Sequence, residues 1–169
     1  GENVVIVGAS GNVGMLAIQF ATRRGARVLA VASGKDGVAF CKRLGADDAV
    51  DGKHGDVAGA LRRFAPDGVD ALLGLFGGKV LTTCIDAVSR GGRVAFPNGI
   101  SPEPRKRRGI KFVRYDAEGG VKEFTRLNRA IEQAPLRVPI AREFPLEKAA
   151  EAHRLLEKGH VLGRIVLRA

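Results

Sequence analysis

Val4-Val5-Ile6-Val7-Gly8-Ala9-Ser10-Gly11-Asn12-Val13-Gly14 is the stretch on which the fold turns. A run of β-branched residues enters a glycine-rich turn, and Val13, Leu16, Ala17, Phe20 and Ala21 leave it at helical spacing. Four apolar residues in a row suit a strand buried on both faces, as in a parallel sheet. The helix that follows begins with unpaired N–H groups at the positive end of its dipole, so an anion such as a pyrophosphate can sit there if no Cβ blocks the approach. Gly11 and Gly14 supply that clearance, and Ser10, Gly11, Asn12 and Val13 are the expected contacts. The six residues that align with G-x-G-x-x-G are Ala9 to Gly14, with alanine in the first glycine position. Taken alone this is a weak motif, and a strand-to-helix turn without a ligand is the competing reading.

Composition narrows the classes. With 169 residues, 45% hydrophobic and 27% charged, the chain reads as one domain able to bury a core. Its most apolar windows are strand-length and the N-terminus lacks the basic-then-apolar build of a signal peptide, so a cytoplasmic setting without a membrane partner is expected. The net charge of +10 and the run Arg105-Lys106-Arg107-Arg108 invite a nucleic-acid reading. One Tyr, no Trp and no nucleic-acid motif accompany them, so no nucleic-acid partner is expected and the run is read as a solvated loop. Cys41 and Cys84 lie far apart in predicted helices and are read as buried reduced thiols.

Downstream of the turn the pattern repeats. Arg27 to Ala32 reads as a second strand, completing a βαβ unit. Where a fold that selects NAD places an acidic side chain for the ribose 2′-hydroxyl, this chain has Ser33, then Gly34 and Lys35. A hydroxyl and an ammonium suit a 2′-phosphate that a carboxylate would repel, so NADP(H) is favoured over NAD(H). Asp36 keeps the second cofactor open. After a helix from Asp36 to Leu44 and a short strand at Ala49-Val50, Lys53 is either a second cation for the phosphate or an exposed loop lysine.

A helix from Asp56 to Phe64 leads to a fourth strand, Val69 to Gly74. Leu75 and Phe76 follow it, placed to flank a nicotinamide or to make a satellite core contact. The next helix is expected to bury Leu81, Cys84, Ile85 and Val88 and to end at Gly91-Gly92, before a fifth strand from Arg93 to Phe96. Phe96 and Asn98 complete the expected cofactor set; Asn98 can bond a carboxamide in both directions or simply serve its turn. Ile110 to Arg114 alternates as a sixth strand, and Val121, Phe124, Asn128 and Ile131 mark a helix. A strand from Arg137 to Phe144, a helix from Pro145 to Lys158 and a strand from Arg164 to Leu167 close the chain, with His153 read as a satisfied structural histidine. These elements predict an α/β fold, a Rossmann-type doubly wound parallel sheet of about six strands in a three-layer α/β/α arrangement. No catalytic residue is assigned. Two Cys and three His without ligand-like spacing offer no metal site.

Along nearly its whole length the chain resembles the medium-chain dehydrogenases and reductases, and within them the zinc-independent quinone reductases related to zeta-crystallin. The resemblance rests on Val7 to Gly14, on Leu44-Gly45-Ala46-Asp47, Gly68-Val69-Asp70 and Gly91-Gly92-Arg93, and most specifically on Phe144 to Glu157 with Gly163 to Leu167. It implies a six-stranded cofactor domain with NADPH across the strand C-termini, passing hydride to a small-molecule acceptor such as a quinone or enone. It also implies pairing of dimers through an edge strand. Three departures are visible: Gly74 replaces an acidic residue, Gly52 stands where some members carry a tyrosine against the 2′-phosphate, and the loop after the fifth strand is short. Family members also carry a catalytic domain ahead of this one, onto which residues 136–169 would return. The expectation is therefore an excised or truncated cofactor domain, slow or inactive alone, with a non-catalytic nucleotide-sensing or interaction module as the alternative.

Overall fold

Val4–Val7 runs through the interior of the sheet, where a strand has neighbours on both edges and helices on both faces. The computed structural model describes residues 1–169. Strand β1 (Asn3–Val7) pairs in parallel with β2 (Arg27–Ala32) on one side and with β4 (Val69–Gly74) on the other. With β3 (Asp48–Asp51), β5 (Val88–Pro97) and β6 (Lys111–Tyr115), the order is β3-β2-β1-β4-β5-β6, all parallel. The direction of winding reverses between β1 and β4, which opens a crevice at their C-terminal ends.

The apolar run is needed because alternate residues face different layers. Val5 and Val7, with Leu29 and Val31, meet α3 (Val57–Phe64) and α4 (Lys79–Asp86) through Leu61, Phe64, Leu81 and Ile85. Ile6, with Val28 and Ala30, meets α1 (Gly14–Arg23) and α2 (Gly34–Arg43) through Met15, Ile18, Phe40 and Cys41. Each such side chain contributes about 1.5–3 kcal/mol by burial, so an unpaired polar residue at the buried positions 5, 6 and 7 is excluded. The sequence is thus α/β and doubly wound, with the three layers expected of it.

Several expected details differ. The buried stripe of α1 is Gly14, Met15, Ile18 and Gln19, while Leu16 and Ala17 flank it and Val13 stands 57% exposed before the helix starts. Close contact of Gly14 with the turn sets the helix's rotation. Helix α4 stops at Asp86, because Val88 pairs with Val69 and Ser89 Oγ donates to the Val69 carbonyl at 2.9 Å. Gly91-Gly92 is therefore inside β5, at an irregularity in the ladder between Val69 and Ala71, and not a helix cap. A Cβ on Gly92 would lie 2.6 Å from Val88 Cγ1 and 3.0 Å from the Asp70 carbonyl oxygen, so the bulge requires glycine.

Beyond β6, helix α5 (Val121–Gln133) has no buried residue, and Val121 and Phe124 face solvent. The last segment forms a separate parallel pair, β7 (Ile140–Pro145) with β8 (Arg164–Arg168), joined through a 3-10 turn at Leu146–Lys148 and α6 (Ala149–Glu157). His153 of α6, read as a satisfied structural histidine, lies beside Leu156, Ile165 and Leu167 but is exposed, and Ala152 is the residue of that helix that is buried. No helix is long and apolar enough to cross a membrane.

Candidate functional site

The turn after β1 is fixed by its own backbone. The N–H groups of Gly8 and Ala9 both donate to the Val31 carbonyl, at 3.0 and 3.1 Å, tying the turn to β2. Gly8 has φ +82°, so it supplies the left-handed step, and Ala9 at the aligned position is buried. The Gly11 N–H donates back to the Gly8 carbonyl at 3.1 Å. That leaves the amides of Asn12 and Val13 with no acceptor in the chain, on residues exposed to solvent.

The two later glycines have different tasks. A Cβ on Gly11 would meet only the Gly8 carbonyl oxygen, at 3.3 Å, and otherwise open space. One on Gly14 would lie 2.4 Å from that oxygen and 2.6 Å from Ala9 Cα. Gly14 therefore allows helix and strand to meet, whereas Gly11 keeps the approach from solvent clear; sequence alone had given both the second role. Around this turn is a cleft of about 390 Å³. Gly8, Ser10, Gly11, Asn12 and Val13 form its floor, Ser33 one end, and Leu75 and Phe76 the opposite wall. Phe76 lies so close that a Cβ on Gly8 would be 3.2 Å from its ring.

At the Ser33 end the backbone turns from β2 into α2. Gly34, at φ +75°, donates its N–H to Asp51 Oδ1 at 3.0 Å, and the Lys53 N–H donates to the same oxygen at 2.9 Å. These two backbone donors, Lys53 first, hold the Asp51 carboxyl below its ordinary range. Asp36 is held low as well, first by the hydrogen bond from His160 Nε2 at 2.7 Å and then by the Gly37 N–H. Both carboxylates near Ser33 thus have partners, while Lys35 and Lys53 are exposed and form no ion pair. Gly34, Lys35 and Lys53 stand outside the cleft lining: Gly34 and Lys35 follow Ser33 into α2, and Lys53 is joined to this end through Asp51. Asp51 and His160 were missed in the sequence. Asp51 had a signal in its position at the end of a strand before glycine; His160, 124 residues from Asp36, had none.

Phe96 and Asn98 do not line this cleft. Phe96 is 2% exposed and its ring belongs to the core cluster with Leu81, Cys84 and Ile85 of α4, so its side chain is closed to a ligand. Asn98 closes its own turn: its N–H donates to the Tyr115 carbonyl at 2.8 Å, Oδ1 accepts from the Gly99 N–H at 3.1 Å, and Nδ2 reaches Asp116 Oδ2 at 3.4 Å. Of the departures, Gly74 lies under α4, where a Cβ would be 2.6 Å from Leu81 Cδ1, and a Cβ on Gly52 would be 3.0 Å from Val31 Cγ1. Larger residues there need these neighbours to move.

A hollow of about 460 Å³ lies at the other end of the strands, lined by Val88, Ile110 and three arginines. One of the three, Arg107, is committed to the Ile85 carbonyl at 2.8 Å and to Asp86. It is the larger space, but it sits away from the strand C-termini and holds no group suited to chemistry. Cys41 and Cys84 are free, buried thiols pushed up to about 12 by desolvation, and so inert as nucleophiles.

A doubly wound sheet with a glycine turn opening into its crevice defines a Rossmann-type nucleotide-binding domain, and its solved-structure neighbours are such domains of the medium-chain dehydrogenase/reductase superfamily. The chain belongs to the zinc-binding dehydrogenase family of that superfamily, which residues 44–167 match. It is 28% identical over 179 residues to a quinone oxidoreductase of Rattus norvegicus, covering 99% of this chain and 54% of that protein. Among solved structures, the quinone oxidoreductase from Coxiella burnetii superposes with TM-score 0.86 at 32% identity, over 100% of this chain and 53% of the other. An NAD-dependent alcohol dehydrogenase gives TM-score 0.87 at 30% identity, over 100% and 51%. The chain therefore spans about half the length of the relatives it matches. No three His, Cys, Asp or Glu side chains gather as a metal ion would need, so the residues present do not fit the zinc of the family's name.

Proposed function

We propose that this chain is the NADPH-binding domain of an oxidoreductase that passes hydride to a quinone- or enone-like acceptor. The observation that supports this best is the exposed pair of free amides at Asn12 and Val13, in a cleft kept clear by Gly11. A nicotinamide cofactor, when bound, supplies the hydride; the protein supplies position and exclusion of water. The Asn12 and Val13 N–H groups and the helix dipole would hold the diphosphate oxygens. Ser33 and Lys35 would hold the ribose 2′-phosphate, with Lys53 a further cation nearby, since the neighbouring carboxylates already have partners. Leu75 and Phe76 would shield the nicotinamide half.

The alcohol dehydrogenase that this chain resembles is named for NAD, so the phosphate preference is the point to test. The chain is titrated with NADPH and with NADH while the fluorescence of the reduced nicotinamide is followed. Both should respond, NADPH at lower concentration, with little or no turnover of a quinone by this chain alone. Silence with both cofactors sinks the reading; equal affinities remove the NADPH preference.

A further inference from the structure

His160 is the one non-glycine residue with a positive φ, +58°, and it lies between α6 and β8, far from the cleft in sequence. That unusual backbone step carries its ring to the first turn of α2, where Nε2 bonds Asp36 Oδ2 at 2.7 Å. The pair sits directly over Gly34. A Cβ on that residue would be 2.8 Å from Asp36 Oδ1 and 3.4 Å from His160 Cε1. Beneath the pair, α2 comes close to the phosphate turn, since a Cβ on Gly37 would be 3.5 Å from Ser10 Oγ.

Three groups bear on where a ribose 2′-substituent would lie: the Lys35 ammonium, the Asp36 carboxylate and the Asp51 carboxylate. Asp51 is occupied by two backbone N–H groups. Asp36 accepts one backbone N–H, from Gly37 through Oδ1, so the disposition of Oδ2 depends on His160. An unrestrained carboxylate there could accept a hydrogen bond from a ribose hydroxyl or repel a phosphate.

We infer that His160 is a specificity-determining residue: it occupies the Asp36 Oδ2 that would otherwise accept from a ribose 2′-hydroxyl or repel a 2′-phosphate, and so favours the phosphorylated cofactor over NADH. It acts through Asp36, as a positioning residue supplied by the C-terminal segment. The inference rests on the NADPH reading above.

The test is a comparison of NADPH and NADH dissociation constants for the 169-residue chain and three variants. His160→Asn keeps a residue at ease with positive φ but with an arm too short to reach Asp36. It should weaken NADPH relative to NADH by about two- to fivefold, the range of exposed charge pairs. Adding Asp36→Asn to that variant should restore the wild-type ratio, which a general loosening of the fold would not do. His160→Gly carries the same expectation where His160→Asn yields no folded protein. If the wild type shows no NADPH preference, that part of the proposed function and this inference both fall, while cofactor binding itself stands. A preserved wild-type preference with an unchanged ratio in His160→Asn, or no restoration by Asp36→Asn, overturns the role of His160 alone.

Discussion

The side-chain amide of Gln19 grips Arg137 from both directions: Nε2 donates to its carbonyl oxygen at 2.9 Å, and Oε1 accepts its N–H at 2.8 Å. Gln19 is the buried polar residue of the core, 6% exposed, and Nε2 also reaches the Met15 carbonyl at 2.9 Å. An amide is suited to this because it offers a donor and an acceptor in one plane, matching the backbone of an extended residue. The bond fastens the last segment of the chain to α1.

Gln19→Leu removes both partners and leaves the Arg137 backbone unpaired against α1. Thermal unfolding should shift down by roughly 2–10 °C, for a loss of about 1–3 kcal/mol. Amide exchange should speed up around residues 137–140 ahead of the central sheet. An unchanged midpoint with unchanged exchange contradicts the clamp.

Gly11 and Gly14 separate ligand clearance from packing. Gly14→Ala forces a methyl to 2.4 Å from the Gly8 carbonyl oxygen, so it should cost about 1–3 kcal/mol in denaturant unfolding. Gly11→Ala meets only one atom, at 3.3 Å, and should fold within about 1 kcal/mol of wild type while losing NADPH affinity. Equal destabilisation by the two changes would contradict the assignment.

Lys35 is exposed, and no ion pair claims it. Lys35→Glu should weaken NADPH by about tenfold or more through loss of a charge-assisted bond, and leave NADH within a few-fold, reversing the order of the two. Isothermal titration with both cofactors measures the crossover. Parallel loss of both would point instead to damage of the fold.

Acid should release the clasp between Glu2 and Arg93, whose Nη1 donates to Oε1 at 2.7 Å. That hydrogen bond holds the Glu2 carboxyl below its ordinary value of 4.5. A depressed folded-state value means the contribution is complete above 4.5 and is lost as pH falls through the lower value. Calorimetric midpoints taken between roughly pH 6 and pH 3 should fall with acid, and Arg93→Gln should flatten part of that fall. An identical acid limb in the variant excludes the pair as a contributor.

The sequence determined the architecture because that information is local and periodic. The buried run before Gly8, the helical repeats and the strand at Val69 to Gly74 state which residues must leave water, and a doubly wound sheet is the arrangement that covers both faces of such strands. The phosphate turn was legible for the same reason, since the glycines and the strand before them are adjacent. Boundaries were misread where pairing outweighed propensity, as at Val88 to Gly92, which the ladder with Val69 draws into β5. Only the tertiary structure decided that Phe96 is core, that Asn98 serves its own turn, and that Asp51 and His160 stand beside Ser33 and Gly34. The placing of Asp51 and His160 depends on contacts between groups 17 and 124 residues apart in the chain, and no repeat or composition encodes such a distance.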